Sequence, residues 1–318
     1  MNIFISDCDH VSLDIEQSVL EQAGFTYTLQ QNKTANDVMT NMKDAEIVLN
    51  QYAPFTEEVF ANLPNLKQIV RYGVGVNNID LQAASKYKVQ VCNVPDYGMH
   101  EVADHALALM LSLTRKISTM NEQVKAGNWD YQTSIPIYRH REQVVGIVGL
   151  GRIGGAFAEK VNGLGMKVIA YDPSKEQKGV DSSLHFVKFV PFDELLSNAD
   201  IISIHCPAEE AYHLFDASAL SKMKPSSYLI NVSRGGIIDE QALYEAIQAH
   251  QIAGAALDVS EQEPISKESP LLACENVLIT PHMAWYSEQA ANELKRKVAE
   301  EAVRFAKGEQ VHYPVNII

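Results

Sequence analysis

Between residues 144 and 172 the chain reads as strand, glycine-rich turn, helix, strand and acid, and few folds accommodate that order. Val144–Val148 is a short apolar run that leads directly into Gly149-Leu150-Gly151-Arg152-Ile153-Gly154. An amphipathic stretch, Gly151–Asn162, follows, and a second apolar run, Lys167–Tyr171, ends at Asp172. Gly149 permits the tight turn, Gly151 lets a pyrophosphate approach the backbone, and Gly154 allows close helix–strand packing. Arg152 and Ile153 open the helix, whose free N–H groups and partial positive charge suit phosphates. An acid about 20 residues past the glycines accepts hydrogen bonds from a ribose diol and repels a 2′-phosphate. Asp172 therefore predicts NAD(H) in preference to NADP(H).

The same alternation runs along the whole chain and predicts a parallel α/β architecture. Strands are expected at Ile3–Ser6, Phe25–Leu29, Ile47–Asn50, Gln68–Arg71 and Gln90–Cys92, with helices between them such as Leu13–Ala23 and Thr56–Leu63. These elements make a small doubly wound domain. Val102, Ala106, Leu109, Leu113 and Ile117 keep helical spacing and predict one long helix, His100–Ala126, stopped by Gly127. A helix of that length suits a domain bridge or a dimer surface. After Val144–Val148 and Lys167–Tyr171 the second series continues with strands Asp200–Ile204, Ser227–Asn231, Ile252–Ala255 and Val277–Ile279, and with a helix at Asp239–Ala249. A last amphipathic helix is expected from Ser287, its N-cap, to Lys307, stopped by Gly308.

Three polar side chains follow strands of the second series. Arg234 lies in Asn231-Val232-Ser233-Arg234-Gly235-Gly236, Glu263 in the segment from Leu257 and Asp258 to Pro264, and His282 in Thr280-Pro281-His282. Ligands of open α/β sheets bind outside the carboxyl ends of the strands. An arginine there can hold a carboxylate and polarise a carbonyl, and a histidine beside a carboxylate suits proton transfer near neutral pH. With a nicotinamide cofactor, these groups imply hydride transfer at the 2-position of a small oxo or hydroxy acid.

Bulk composition narrows the alternatives. The 318 residues suggest about two domains. Lys plus Arg number 26 against 40 Asp plus Glu, a net charge of −14, which disfavours binding to nucleic acid or to an anionic membrane. The first residues lack the basic start and apolar run of a secretory leader, and no stretch reaches the roughly 18 apolar residues of a membrane span. Cys8, Cys92, Cys206 and Cys274 form no CxxC pair, so no metal site and no disulfide framework is expected. The chain reads as cytoplasmic, with Cys206 a small half-buried filler.

These segments resemble the D-isomer-specific 2-hydroxyacid dehydrogenases over nearly the whole chain. The matching stretches are Arg71–Asp80, Val91–Pro95, Gly149–Gly154, His205-Cys206-Pro207, Asn231–Asp239, Ala255–Pro264 and Pro281-His282. The resemblance implies a Rossmann NAD-binding domain, 99–286, inserted into a flavodoxin-like substrate domain, 1–98 with 287–318, in a homodimer. It assigns the substrate carboxylate and carbonyl to Arg234, acid/base work to His282, and to Glu263 the raising of that histidine's proton affinity. The amides of Val74 and Gly75 would help hold the carboxylate, and Asp258 would bind the nicotinamide carboxamide. His205, Cys206, Pro207, Val232 and Ser233 would line the cofactor.

One region departs from the phosphoglycerate dehydrogenases, which carry an arginine and a serine after the third strand. This chain has Asn50-Gln51-Tyr52-Ala53-Pro54-Phe55, with no cation for a phosphate. Trp285 and Tyr286, in His282–Gln289, resemble instead the C-terminal-binding-protein branch. Tyr52 and Trp285 would then give the substrate an apolar wall, with Trp285 also near the cofactor. That branch contains NADH-sensing corepressors, so the alternative to a metabolic dehydrogenase is a cofactor-gated interaction module.

Overall fold

The structure, a computed structural model, describes residues 1–179, 182–208 and 211–318. Short Val-, Ile- and Leu-rich runs, too short for helices and in the central strands buried on both sides, pair into two all-parallel sheets. The chain divides into two units, Met1–Gly98 with Ser287–Ile318, and Met99–Tyr286.

The first unit holds five strands, β1 (Ile3–Ile5), β2 (Tyr27–Leu29), β3 (Ile47–Asn50), β4 (Gln68–Arg71) and β5 (Gln90–Cys92). Their order is β2-β1-β3-β4-β5, the flavodoxin-like winding. Alternate side chains serve opposite faces. Val48, Ile69 and Val91 join Val38, Val59, Phe60 and Ala83 of the helices Ala35–Asn41, Glu57–Asn62 and Leu81–Lys86 in one core. Helices Asp14–Gln22 and Glu288–Ala306 pack on each other, and the latter lies on β3 and β4. Ser287 caps that last helix, accepting from the Ala290 amide, and Gly308 ends it at φ +74°.

The second unit holds β6 (Val144–Val148), β7 (Lys167–Tyr171), β8 (Lys188–Phe189), β9 (Ile201–Ile204), β10 (Tyr228–Asn231), β11 (Gly254–Leu257) and β12 (Val277–Ile279). Their order, β12-β11-β10-β9-β6-β7-β8, is the Rossmann order with one further strand. Ile202, Ile204, Leu229, Ala255 and Leu257 face one core with Leu195, Leu220 and Leu243. Ile201, Ile230 and Ala256 face the other with Met110, Phe157 and Val161. Among the described residues no helix is long and apolar enough to cross a membrane, and no cluster of His, Cys, Asp and Glu is arranged for a metal ion.

Two expected elements differ. The long helix is two, Met99–Thr114 and Ile117–Lys125, broken at Lys116 with φ +53°. The first buries Val102, Ala106, Leu109, Met110 and Leu113, whereas the second buries none of its residues, so no core favours a straight continuation. The strand expected at Ile252–Ala255 runs instead from Gly254 to Leu257. Ile252 is buried before the strand begins. Pairing starts at Gly254 opposite Tyr228, where a β-carbon would lie 2.4 Å from the Asn276 carbonyl oxygen.

Candidate functional site

In the second sheet the winding reverses between β6 and β9, and the glycine-rich loop leaves β6 at that point. Gly149 has φ +91°, and a β-carbon on it would stand 2.6 Å from the Cys206 backbone nitrogen. The loop is therefore pressed against the segment that leaves β9. A β-carbon at Gly154 would fall 2.1 Å from the Gly149 carbonyl oxygen. At Gly151 it would meet no atom within 4 Å. Glycine is thus dictated by packing at 149 and 154, while at 151 the space is open toward a ligand. The helix Arg152–Gly163 has no side-chain cap, so its first amides are presented outward, as a pyrophosphate requires. A cavity of about 380 Å³ lies there, lined by His100, Leu150, Gly151, Arg152, Lys175 and Leu184 among others. The donor set and the open space fit a dinucleotide.

Asp172 directly follows β7 and does two structural jobs. Its carboxylate accepts from the Leu150 amide at 2.8 Å and from the Lys175 amide at 2.9 Å. It thereby ties the glycine loop to the following strand and caps the helix Pro173–Lys178. The oxygens retain lone pairs for a diol.

The segment His205-Cys206-Pro207 follows β9. His205 Nε2 lies 2.8 Å from the Ser203 hydroxyl, and burial pushes its pKa down to about 3, so the ring is neutral. Its Nδ1 is buried without a hydrogen-bond partner. Cys206 packs on the core, and burial raises its thiol to about 11, which fits a filler and not a nucleophile. Its carbonyl accepts from the Ser233 hydroxyl, joining this segment to the loop after β10.

That loop carries Val232, Ser233 and Arg234. Asn231 shapes it, accepting from the Ser233 amide at 3.0 Å and donating to the Arg234 carbonyl at 2.8 Å. The Arg234 guanidinium donates to the Ser233 carbonyl at 2.8 Å. At Gly235 a β-carbon would sit 1.9 Å from the Ser260 carbonyl carbon, so the loop lies directly on the next one. Glu240 anchors that next loop, accepting from the Ser260 hydroxyl and the Glu261 amide, both at 2.7 Å.

His282 and Glu263 meet. His282 Nδ1 stands 2.6 Å from Glu263 Oε2, while Glu263 Oε1 accepts from the Ser260 amide at 3.2 Å. Burial pushes the Glu263 carboxyl up. The hydrogen bond and charge of His282, the Ser260 amide and the charge of Arg234 outweigh it and hold the group below its ordinary value. Arg234, Glu263 and His282 thus form one electrostatic set. Asp258 is buried beneath them, accepting from the Met283 and Ala284 amides at 3.0 and 2.9 Å and from the Thr280 hydroxyl at 2.6 Å. Thr280, which the sequence motif contains without pointing to a role, is the side chain that joins Asp258 to the segment carrying His282. Trp285 packs against the core of its own unit and meets Tyr286 edge to face.

In the first unit the loops after β3 and β4 carry the remaining residues. Tyr52 is exposed, its amide donating to Asp7 at 2.6 Å and its hydroxyl to Asp9 at 3.1 Å. Partial desolvation by the surrounding loop and the Asp9 charge push its pKa to about 12, although much of the ring stays exposed. Val74 is exposed beside Gly75, with its carbonyl accepting from Asn93 at 2.6 Å.

Residues 107–284 match the model of the NAD-binding domain of the D-isomer specific 2-hydroxyacid dehydrogenases. The chain is 36% identical to a glyoxylate reductase of Korarchaeum cryptofilum, over 88% of its own length and 85% of the relative's. It is 40% identical to a D-3-phosphoglycerate dehydrogenase of Archaeoglobus fulgidus over 85% of its length, but spans only 51% of that protein. The crystal structure of an Aquifex aeolicus D-lactate dehydrogenase, complexed with NAD and lactic acid, superposes with a TM-score of 0.87 at 29% identity. The match covers 97% of this chain and 96% of that one.

Proposed function

This chain belongs to the D-isomer specific 2-hydroxyacid dehydrogenase family, and we propose that it interconverts a small 2-oxo acid and the corresponding D-2-hydroxy acid with NAD(H). The observation that carries the reading is the His282–Glu263 pair at 2.6 Å, with the Arg234 charge acting on it. A purely structural or nucleotide-binding role has no use for all three.

The glycine loop, the first amides of the helix at Arg152 and Ile153, and the segments His205–Pro207 and Val232–Ser233 would hold the dinucleotide, with Asp172 on the adenosine ribose and Asp258 near the nicotinamide. The negative charge of Asp172 supports NAD(H) over NADP(H). When bound, the reduced cofactor supplies a hydride to the carbonyl carbon. Arg234 binds the substrate carboxylate and polarises the carbonyl. His282 points Nδ1 at Glu263, which leaves Nε2 to give a proton to the carbonyl oxygen as the hydroxyl forms, and to take it back in the reverse direction. Glu263, ionised, fixes the ring and balances the imidazolium. Tyr52, Val74, Gly75 and Trp285 are proposed as substrate contacts. Without a cation after β3, a phosphorylated substrate is disfavoured and an uncharged side chain preferred. The exposed aromatic segment ahead of β6 supports a homodimer.

The test is NADH oxidation against a panel of 2-oxo acids from glyoxylate to aromatic ones. One class should turn over, and Arg234→Ala should abolish turnover while NADH binding persists. Tight NADH binding with no acid reduced would refute the dehydrogenase reading in favour of a cofactor-gated interaction module.

A further inference from the structure

Asp258, only 1% exposed at the carboxyl end of β11, is the hub of the turn that carries His282. Its side chain accepts from Thr280, Met283 and Ala284, and its carbonyl accepts from the His282 amide at 2.8 Å. The turn needs such holding. His282 has φ +53°, a left-handed conformation that a β-carbon disfavours.

A further side chain reaches the hub from elsewhere in the unit. His105 Nε2 lies 3.0 Å from the Thr280 hydroxyl oxygen and 3.5 Å from Asp258 Oδ1. The Thr280 hydroxyl proton is committed to Asp258 at 2.6 Å, so toward His105 its oxygen can only accept, and Nε2 must carry the hydrogen. His105 belongs to the helix Met99–Thr114, whose face of Val102, Ala106, Leu109 and Met110 is buried in the core. A rigid element is thereby connected, through two side chains, to a strained turn.

We propose that His105 is a positioning residue for the reaction. Its Nε2–H fixes the Thr280 oxygen, Thr280 fixes Asp258, and Asp258 fixes the left-handed turn that presents His282. The proposal rests on the role given to His282 above. An apolar side chain at 105 removes the donor and frees the Thr280 hydroxyl to rotate away from Asp258. His282 then loses its alignment, while the substrate carboxylate is still held by Arg234.

The experiment is steady-state reduction of the best 2-oxo acid by His105→Leu, His105→Gln, Thr280→Val and the double variant His105→Leu/Thr280→Val, with His282→Asn as control. Misalignment predicts that His105→Leu loses about tenfold in kcat with KM changed less than about twofold. His105→Gln, whose amide can donate in the same place, should recover most of the rate. The double variant should lose no more than the worse single one, because both cut the same connection. Wild-type kcat in His105→Leu, or equal impairment of the Leu and Gln variants, would overturn the proposal. Should His105→Leu not fold, His105→Asn against His105→Ala asks the same question of a side chain that can still donate and one that cannot. A faster Asn variant beside an impaired Ala variant supports the connection, and equal rates overturn it. Full turnover by His282→Asn would instead overturn the underlying reading, and the proposal with it.

Discussion

At the scale of single residues, the site is governed by how few groups are left to choose their protonation. The Glu263 carboxyl is held below its ordinary value of 4.5, so its charge is present above that pH and is lost only as pH falls through the lower folded value. Activity should therefore keep the His282–Glu263 pair down to about pH 4.5 in a pH–rate profile. Glu263→Gln, which keeps the shape and removes the charge, should lower kcat/KM by about 10- to 100-fold at neutral pH. A Gln variant with an unaltered profile would remove Glu263 from the chemistry. Glu16 has the opposite sign. It is buried in the first unit with one oxygen 3.1 Å from the Tyr72 hydroxyl, and burial raises its carboxyl above 4.5 more than that bond lowers it. Its contribution to stability is complete below about pH 4.5 and is lost as pH rises through the folded value. Urea titrations should show Glu16→Gln gaining stability relative to wild type between pH 5 and pH 8. No relative gain would mean the carboxyl is ionised at little cost. Arg234, Glu263 and His282 could be singled out from the sequence because each lies in a loop that follows a strand, whereas the 2.6 Å meeting of His282 and Glu263 is visible only in three dimensions. The part of His105 was not, since 175 residues separate it from Thr280 and a histidine inside an apolar helix carries no local mark.

At the scale of elements, glycines show where backbone must approach backbone. The fingerprint was readable because Gly149, Gly151 and Gly154 recur at a spacing with a mechanical reason, and the contacts at 149 and 154 supply that reason. Gly254 was not, because its constraint comes from Asn276, which leads into the neighbouring strand β12 and is distant in sequence. Gly254→Ala should destabilise the second unit by about 1–3 kcal/mol, as overpacking does, read as a lowered denaturation midpoint in urea. An unchanged midpoint would show that the Asn276 strand gives way freely. The break at Lys116 was hidden for a related reason. Neither Gly nor Pro stands at 115–116, and the apolar spacing continues to Ile117, but that residue has no core to enter. Periodicity reports which face is apolar, not whether anything covers it.

At the scale of the whole molecule, the parallel pairing of both sheets follows from strand and helix alternating along the chain, which is why the fold class could be read from the sequence. Assembly could not be read in that way. The segment ahead of β6 exposes two large aromatic side chains two residues apart, Trp129 at 89% and Tyr131 at 75%, a candidate contact surface for a second copy. Light scattering should give twice the chain mass for wild type, and Trp129→Glu with Tyr131→Glu should shift it toward the monomer. A monomeric wild type would exclude the homodimer. The central claim is that hydride passes to carbon 2 of an oxo acid and yields the D-isomer. The measurement that tests it most directly is a turnover with NADH deuterated at nicotinamide carbon 4 on the transferred face, followed by chiral analysis of the product. The account predicts a D-2-hydroxy acid carrying the deuterium at carbon 2. An L-product, deuterium lost to solvent, or NADH left unoxidised by every acid would contradict it.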